Sequence, residues 1–216
     1  MGSKLSSPEP PARSNPATTP SPKSLSPRIQ QKTFKRKGIT YSVEEGETKI
    51  ISSLFQEIAY GRTPPSGSPS KILHEDSECV IFAALKGVSQ THLLVVPKRI
   101  IGSWIDLVKE EVGEEVAAGT SSTAPTLKGR KLLEHMVASA NTFVSKDPTS
   151  PFHISNPKAN LQAGFHTPPY NSIDHLHLHI IDRSKYIPSW KNYAKFPTIL
   201  PVPWFMPLQS VFKRMR

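Results

Sequence analysis

The chain has 216 residues, 37% of them apolar, with 22 prolines, one cysteine and a formal charge of +10. It is long enough for one ordinary domain with a buried core, but so low an apolar share and about twice the usual proline content predict that part of it is not packed. One cysteine excludes an internal disulfide framework and a Cys-pair zinc site, and no run of about 18 apolar residues offers a membrane span, so no membrane partner is expected.

Residues 1–38 hold eight of the Lys and Arg residues and one acid, Glu9, so +7 of the +10 belongs to this segment. The segment is rich in Ser, Pro and Thr and cannot bury enough surface to offset its ordering entropy. A disordered basic tail is therefore expected over residues 1–46, with a domain over 47–216. Lys35-Arg36-Lys37 is a short basic cluster, and four Ser-Pro or Thr-Pro pairs (beginning at Ser7, Thr19, Ser21 and Ser26) are candidate phosphorylation sites. The N-terminus has no apolar run of the secretory kind, and a lone cysteine fits a reducing compartment, so a cytoplasmic or nuclear protein is expected.

Apolar residues at Ile50, Ile51, Leu54, Phe55 and Ile58 predict a helix over Thr48–Ala59. Gly61–Ser70, with three prolines and two glycines, reads as a loop. Lys71–His74 and Cys79–Ala83 read as strands joined by a turn at 75–77. His92–Pro97 reads as a buried strand that proline ends. A short helix over Trp104–Val116 comes next, within or beside a low-complexity loop insertion at 109–127. Leu132, Leu133, Met136, Val137, Ala140, Phe143 and Val144 then mark an amphipathic helix over 127–144. Leu161–Phe165 and His175–Ile181 are the last clear strands. Residues 183–216 form a C-terminal extension, aromatic and proline-rich to 207, with a short helix over Leu208–Met215.

The chemistry concentrates in Asp174-His175-Leu176-His177-Leu178-His179-Ile180-Ile181. A strand alternates faces with period two, so His175, His177 and His179 project from one face and Leu176, Leu178 and Ile180 from the other. Three aligned imidazoles serve either to bind a metal or to do phosphoryl chemistry, in which one ring attacks phosphorus and its neighbours stabilise charge. Spacing alone does not separate the two.

His-Leu-His-Leu-His-Ile-Ile resembles the histidine-triad signature without a mismatch, and Gly164-Phe165-His166-Thr167-Pro168-Pro169 before it resembles the Hint-type nucleoside phosphoramidases. Thr91–Arg99 resembles that family's first histidine and its strand. Leu54–Ile58 with Gly61–Pro65 resembles its opening helix and loop, and Pro203-Trp204-Phe205 is a weaker echo. The resemblance implies an α+β, HIT-like fold: about five mostly antiparallel strands with the long helix packed on them, in a homodimer for which helix 127–144 is a candidate surface. It implies a soluble hydrolase or transferase acting on the α-phosphate of adenosine 5′-phosphoramidates or acyl adenylates. His177 would attack phosphorus and form a nucleotidyl-histidine that water releases. His179 and Ser172 would contact phosphate oxygens, His175 and His92 would complete the polar wall, and His166 would touch phosphate or leaving group, as in aprataxins. A nucleoside slot is expected among Leu54, Phe55, Ile72 and Phe82.

Two departures qualify this reading. Three of the four residues of the family's optional zinc site are replaced, by Ser53, Gln56 and Ile100, leaving only His175, so neither zinc nor any other cofactor is expected. The acid that would bind ribose hydroxyls is replaced by Ala84, which should cost ribose discrimination. Two alternatives follow. One is aprataxin-like removal of adenylate from DNA 5′ ends, favoured by the basic tail, Lys191, Lys195 and Lys213-Arg214, though the zinc finger of aprataxins has no counterpart here. The other is a catalytically weak scaffold that binds nucleotides or a protein.

Overall fold

The computed structural model describes residues 32–37, 39–44, 47–59, 72–113, 127–197 and 202–216, all within the unit 31–216. The tail expected over 1–46 lies outside the described residues as far as residue 31. From there the expectation is corrected. Strands β1 (Lys32–Arg36), β2 (Ile39–Glu44) and β3 (Glu47–Ser53) pair antiparallel as a three-stranded meander. The Ser/Pro-rich composition ends before Lys32, and although basic residues continue to Lys37, β-branched and aromatic residues begin to recur from Thr33-Phe34. β3 also replaces the first half of the predicted helix, which is confined to α1 (Leu54–Ala59). Thr48, Ile50 and Ile51 are β-branched and favour the strand, so the helical spacing operates only from Leu54 onward.

The second sheet carries the site. It contains β4 (Ile72–Glu75), β5 (Cys79–Ala83), β6 (His92–Pro97), β7 (Leu161–His166), β8 (Leu178–Asp182) and β9 (Phe205–Pro207), in the order β4-β5-β6-β8-β7-β9 and antiparallel throughout. The sixth strand comes from the C-terminal extension. Around the sheet lie α2 (Trp104–Glu111), α3 (Gly129–Lys146), the single turn α4 (Pro157–Asn160), α5 (Trp190–Lys195) and α6 (Leu208–Arg214).

Period two sends alternate residues to different partners. Cys79, Ile81, Leu93, Val95, Leu178 and Ile180 pack with α2, α3 and α6 in the main core. Val80, Phe82, Leu94 and Val96 pack with Phe55, Ile58 and Ala59 of α1 on the other face. On α3 the predicted stripe is buried at Leu132, Leu133, Met136, Ala140 and Val144, each fully inaccessible. Truncating Leu133 to Ala should cost about 2–5 kcal/mol. The apolar stripe of α3 thus faces the chain's own core.

The start of α3 is capped from α2. Glu110 accepts from the Gly129 N–H at 3.3 Å and Glu111 from the Arg130 N–H at 2.7 Å, placing negative charge at the helix N-terminus. Residues 114–126, most of the expected insertion, lie outside the described residues, as does the 60–71 segment read as a loop. Among the described residues no helix is long and apolar enough to cross a membrane.

Candidate active site

β8 begins at Leu178, three residues later than predicted, yet the alternation extends back through the preceding segment. Leu176, Leu178 and Ile180 all enter the main core. His175, His177 and His179 are buried on the other side, with Phe55 of α1 5.2 Å from the His177 ring and 6.1 Å from His175, centroid to centroid. The lead-in is held by the Leu176 N–H, which donates to the Ile101 carbonyl at 2.6 Å. That tie stands in for ladder pairing.

Each ring has assigned partners that settle its tautomer. His177 Nδ1 lies 2.6 Å from the His175 carbonyl oxygen, which can only accept, so Nδ1 carries the proton and the neutral ring's lone pair is on Nε2. His175 Nε2 donates to the carbonyls of Pro97 and Arg99, each at 3.1 Å. Arg99 is itself clamped to Glu110 of α2 by two contacts of 2.6 Å.

His92 and His179 form a directed chain. The Val88 N–H donates to His92 Nδ1 at 3.1 Å, so neutral His92 carries its proton on Nε2. That N–H faces His179 Nδ1 at 2.9 Å, so His179 accepts there and carries its own proton on Nε2. His179 Nε2 is buried without a partner among the described residues. A buried donor left unpaired costs about 1–3 kcal/mol, and a ligand that accepts from it recovers that cost. His166 is arranged in the opposite sense: its Nδ1 donates to the Trp204 carbonyl at 3.1 Å, so its buried Nε2 carries the lone pair, and it has no partner among the described residues.

Burial favours the neutral form of all five rings. It holds His175 and His177 down to about 4 and His92 to about 3, and it lowers His166 and places His179 well below the usual 6.5. Lys195 adds to this at His92, His166 and His179. A nitrogen nucleophile is therefore unprotonated at neutral pH, beside the Nε2–H of His179, a donor able to meet an anionic oxygen.

His166, His175 and His177 line a small cleft with Gly102, Ser103, Trp104, Asn171 and Ile173 among their neighbours. Ser172 sits exposed on the adjoining 171–175 loop and is not among the residues lining this cleft. Leu54, Phe55, Ile72 and Phe82 do gather in one apolar cluster, which Ala84 also joins. Within it Phe82 is wholly buried and stacks on Phe55 at 5.4 Å, so it forms the floor and not an open wall.

Several contributors were not singled out from sequence. Phe196 packs against His92, His166 and His179, with centroids 5.2, 4.9 and 5.1 Å away. Asn171, 4% exposed, donates to the Ile173 carbonyl and to Asp174, shaping the loop. Trp104 donates to Thr167 Oγ1 at 3.2 Å. Lys37, at the β1–β2 turn, donates to the Pro169 carbonyl at 3.1 Å and to Asn171 Oδ1 at 3.3 Å and pairs with Asp174 at 3.5 Å. Asn171 adjoins Ser172, which the resemblance singles out, and Lys37 stands out in sequence only as part of the basic cluster; Phe196 and Trp104 carried no signal for the site. The family's optional zinc does not fit here: Gln56 donates to the Lys98 carbonyl at 3.4 Å, and Ile100 is a buried hydrocarbon.

The chain is 28% identical over 147 residues to the bifunctional adenosine 5′-phosphosulfate phosphorylase/adenylylsulfatase HINT4 of Arabidopsis thaliana, covering 68% of this chain and 83% of that protein. It is 31% identical over 129 residues to the adenosine 5′-monophosphoramidase HINT3 of Mus musculus, covering 59% of this chain and 61% of that one. A histidine-triad protein from Clostridium difficile superposes with a TM-score of 0.43 at 22% identity, over 63% of this chain and 94% of the other. The family described as scavenger mRNA decapping enzyme C-terminal binding matches residues 54–194, and the chain belongs to it, within the histidine-triad superfamily.

Proposed function

We propose that this protein hydrolyses adenosine 5′-phosphoramidates or related adenylates at the α-phosphorus, through a nucleotidyl-histidine on His177. The observation that carries the reading is the 2.6 Å bond from His177 Nδ1 to the His175 carbonyl, because it leaves the lone pair on Nε2. In the first step Nε2 attacks phosphorus and the bond to the leaving group breaks, the leaving atom taking a proton from solvent, which leaves His177 as a phosphoryl imidazolium that keeps its Nδ1–H. In the second step water attacks the same phosphorus and returns a proton to solvent, the P–N bond to His177 breaks, and AMP and neutral His177 are regenerated. The Nε2–H of His179 would stabilise the charge developing on the phosphate oxygens. Ser172, on the adjoining loop, and His166 would assist at phosphate or leaving group. Phe55, Leu54 and Ile72 would receive the base, with Phe82 beneath them.

The names of the HINT3 and HINT4 relatives, an adenosine 5′-monophosphoramidase and an adenylylsulfatase, support an adenylate substrate. Ala84 predicts weak discrimination at the ribose. A second reading, release of adenylate from a DNA 5′ end, is favoured by exposed Trp190 and Tyr193 on α5 beside Lys191 and Lys195, since aromatic faces among cations suit single strands. The test compares wild type with His177→Ala on adenosine phosphoramidate, adenosine 5′-phosphosulfate and 5′-adenylated DNA, following AMP. Turnover of the small substrates by wild type alone supports the first reading, and preference for DNA supports the second. No turnover of any substrate refutes both and leaves a binding scaffold.

A further inference from the structure

A second cluster of chemically capable side chains lies on the α3 face of the sheet, away from the histidine site. Asp76, in the turn between β4 and β5, has its Oδ2 3.0 Å from His135 Nε2, 3.6 Å from Cys79 Sγ and 3.8 Å from His74 Nε2. The ligating atoms of Asp76, Cys79 and His135 all fall within 4.8 Å of one another. We infer that this cluster is a binding site for one zinc-class divalent cation, held by the Cys79 thiolate, the Asp76 carboxylate and the His135 imidazole, with His74 as fourth ligand.

Bonds of about 2.0 Å to nitrogen and oxygen and 2.3 Å to sulfur place tetrahedral ligands about 3.3–3.5 Å apart. The three distances from Asp76 Oδ2 bracket that range, the atoms of Asp76, Cys79 and His135 draw together from within 4.8 Å of one another, and the half-exposed His74 swings in to complete the polyhedron. One sulfur, two imidazoles and one carboxylate form a donor set suited to zinc. Support from outside the ligand shell is already present. Asp76 Oδ1 accepts from the N–H groups of Glu78 and Cys79, each at 2.8 Å, which fixes the carboxylate and turns Oδ2 toward the other ligands. Ser139 Oγ, one turn along α3 from His135, donates to Oδ2 at 2.8 Å. Cys79 is wholly buried at the base, while the side chains of His135 and His74 are 31% and 40% exposed, giving an ion a route in from solvent. Binding would replace the thiol proton with metal and tie the β4–β5 turn to α3. None of the four residues occupies a position of the family's optional zinc site.

The full-length chain, stripped with a chelator and then titrated with Co²⁺, tests this. Cys79 is the only cysteine, so a thiolate-to-cobalt charge-transfer band can arise only at this cluster and not at the histidine site. The expected result is one cobalt per chain with that band, displaced by Zn²⁺, retained in His177→Ala and lost in Cys79→Ser. His135→Ala, a change at a partly exposed position that bypasses any folding defect of the buried substitution, should weaken binding at least tenfold and leave phosphoramidate turnover unchanged. Absence of the band at millimolar metal would overturn the proposal and leave Asp76 as a hydrogen-bonded turn residue. So would a nitrogen-only cobalt spectrum that His177→Ala abolishes, or thiolate binding indifferent to His135→Ala.

Discussion

The direction of the hydrogen-bond chain from Val88 through His92 to His179 can be dissected with two substitutions that each preserve half of it. His92 accepts from the Val88 N–H at 3.1 Å and donates to His179 Nδ1 at 2.9 Å, and it is 4% exposed. His92→Ala leaves one donor and one acceptor buried without partners, at about 1–3 kcal/mol each, so unfolding free energy should fall by about 2–6 kcal/mol. With an m-value of about 2 kcal/mol/M, the urea midpoint drops by about 1–3 M. The amide oxygen of Asn in His92→Asn replaces Nδ1 as acceptor and retains the Val88 bond while losing the one to His179. The amide nitrogen of Gln in His92→Gln replaces Nε2 as donor and does the reverse. Each should therefore lose about half of the Ala effect in urea. Their kinetics should part: His92→Gln keeps His179 in the tautomer that presents Nε2–H and stays near wild type in kcat. His92→Asn frees that tautomer and loses about two- to tenfold, the worth of one hydrogen bond of about 0.5–1.5 kcal/mol. Equal kcat values for the Asn and Gln variants would refute the assigned direction.

Stability should fall on mild acidification. Burial holds His175 and His177 near 4 and His92 near 3, whereas unfolded histidine titrates near 6.5, so the unfolded chain takes up protons first. The stabilisation is full above pH 6.5 and is lost as pH drops toward 4, by up to about 1.4 kcal/mol per pH unit per ring, and a urea midpoint unchanged between pH 7.5 and 5 would contradict it. The same depression should put the acid limb of kcat/KM well below pH 6.5. Lys37→Ala removes two hydrogen bonds and a partly exposed ion pair from the 169–174 loop. Global stability should change by less than about 1 kcal/mol, while amide exchange in that loop and turnover both change; unaltered loop exchange would show that the turn does not restrain it. Gly164→Ala would place a methyl 2.6 Å from the Met206 carbonyl oxygen and 2.6 Å from Phe205 Cζ. It should cost about 1–3 kcal/mol and loosen the Trp204 carbonyl from His166, and a stability equal to wild type would show that β9 yields freely.

The parts legible in the sequence were those governed by local periodicity. Alternation in His175–Ile181 gave the two faces of β8, and the stripe from Leu132 to Val144 gave α3 and its buried side. His92–Pro97 was read to the residue because all six positions are buried and proline ends the run. The meander was missed because pairing among β1, β2 and β3 is a relation between segments, and the composition of Lys32–Lys37 reads as a continuation of the tail. Phe196 and the Trp204 carbonyl were missed for a similar reason. They reach the histidines through β9 and the C-terminal segment, and no local spacing announces that approach. The Asp76 cluster joins a turn to a helix 59 residues away in sequence, a distance at which residue pattern carries no geometric information. By contrast, the histidine constellation was accessible because four of its five rings come from two short segments, His92 at the start of β6 and His175–His179 at the lead-in and start of β8, with only His166 depending on the path of β7.

The central claim is that His177 Nε2 becomes covalently bonded to phosphorus. Intact-mass measurement of the protein acid-free quenched during turnover of adenosine phosphoramidate, followed by peptide mapping, tests it directly. The account predicts a single adenylyl adduct on the peptide containing His177, formed and lost at rates compatible with kcat and absent from His177→Ala. AMP release by His177→Ala at the wild-type rate, or an adduct confined to another histidine, would contradict it.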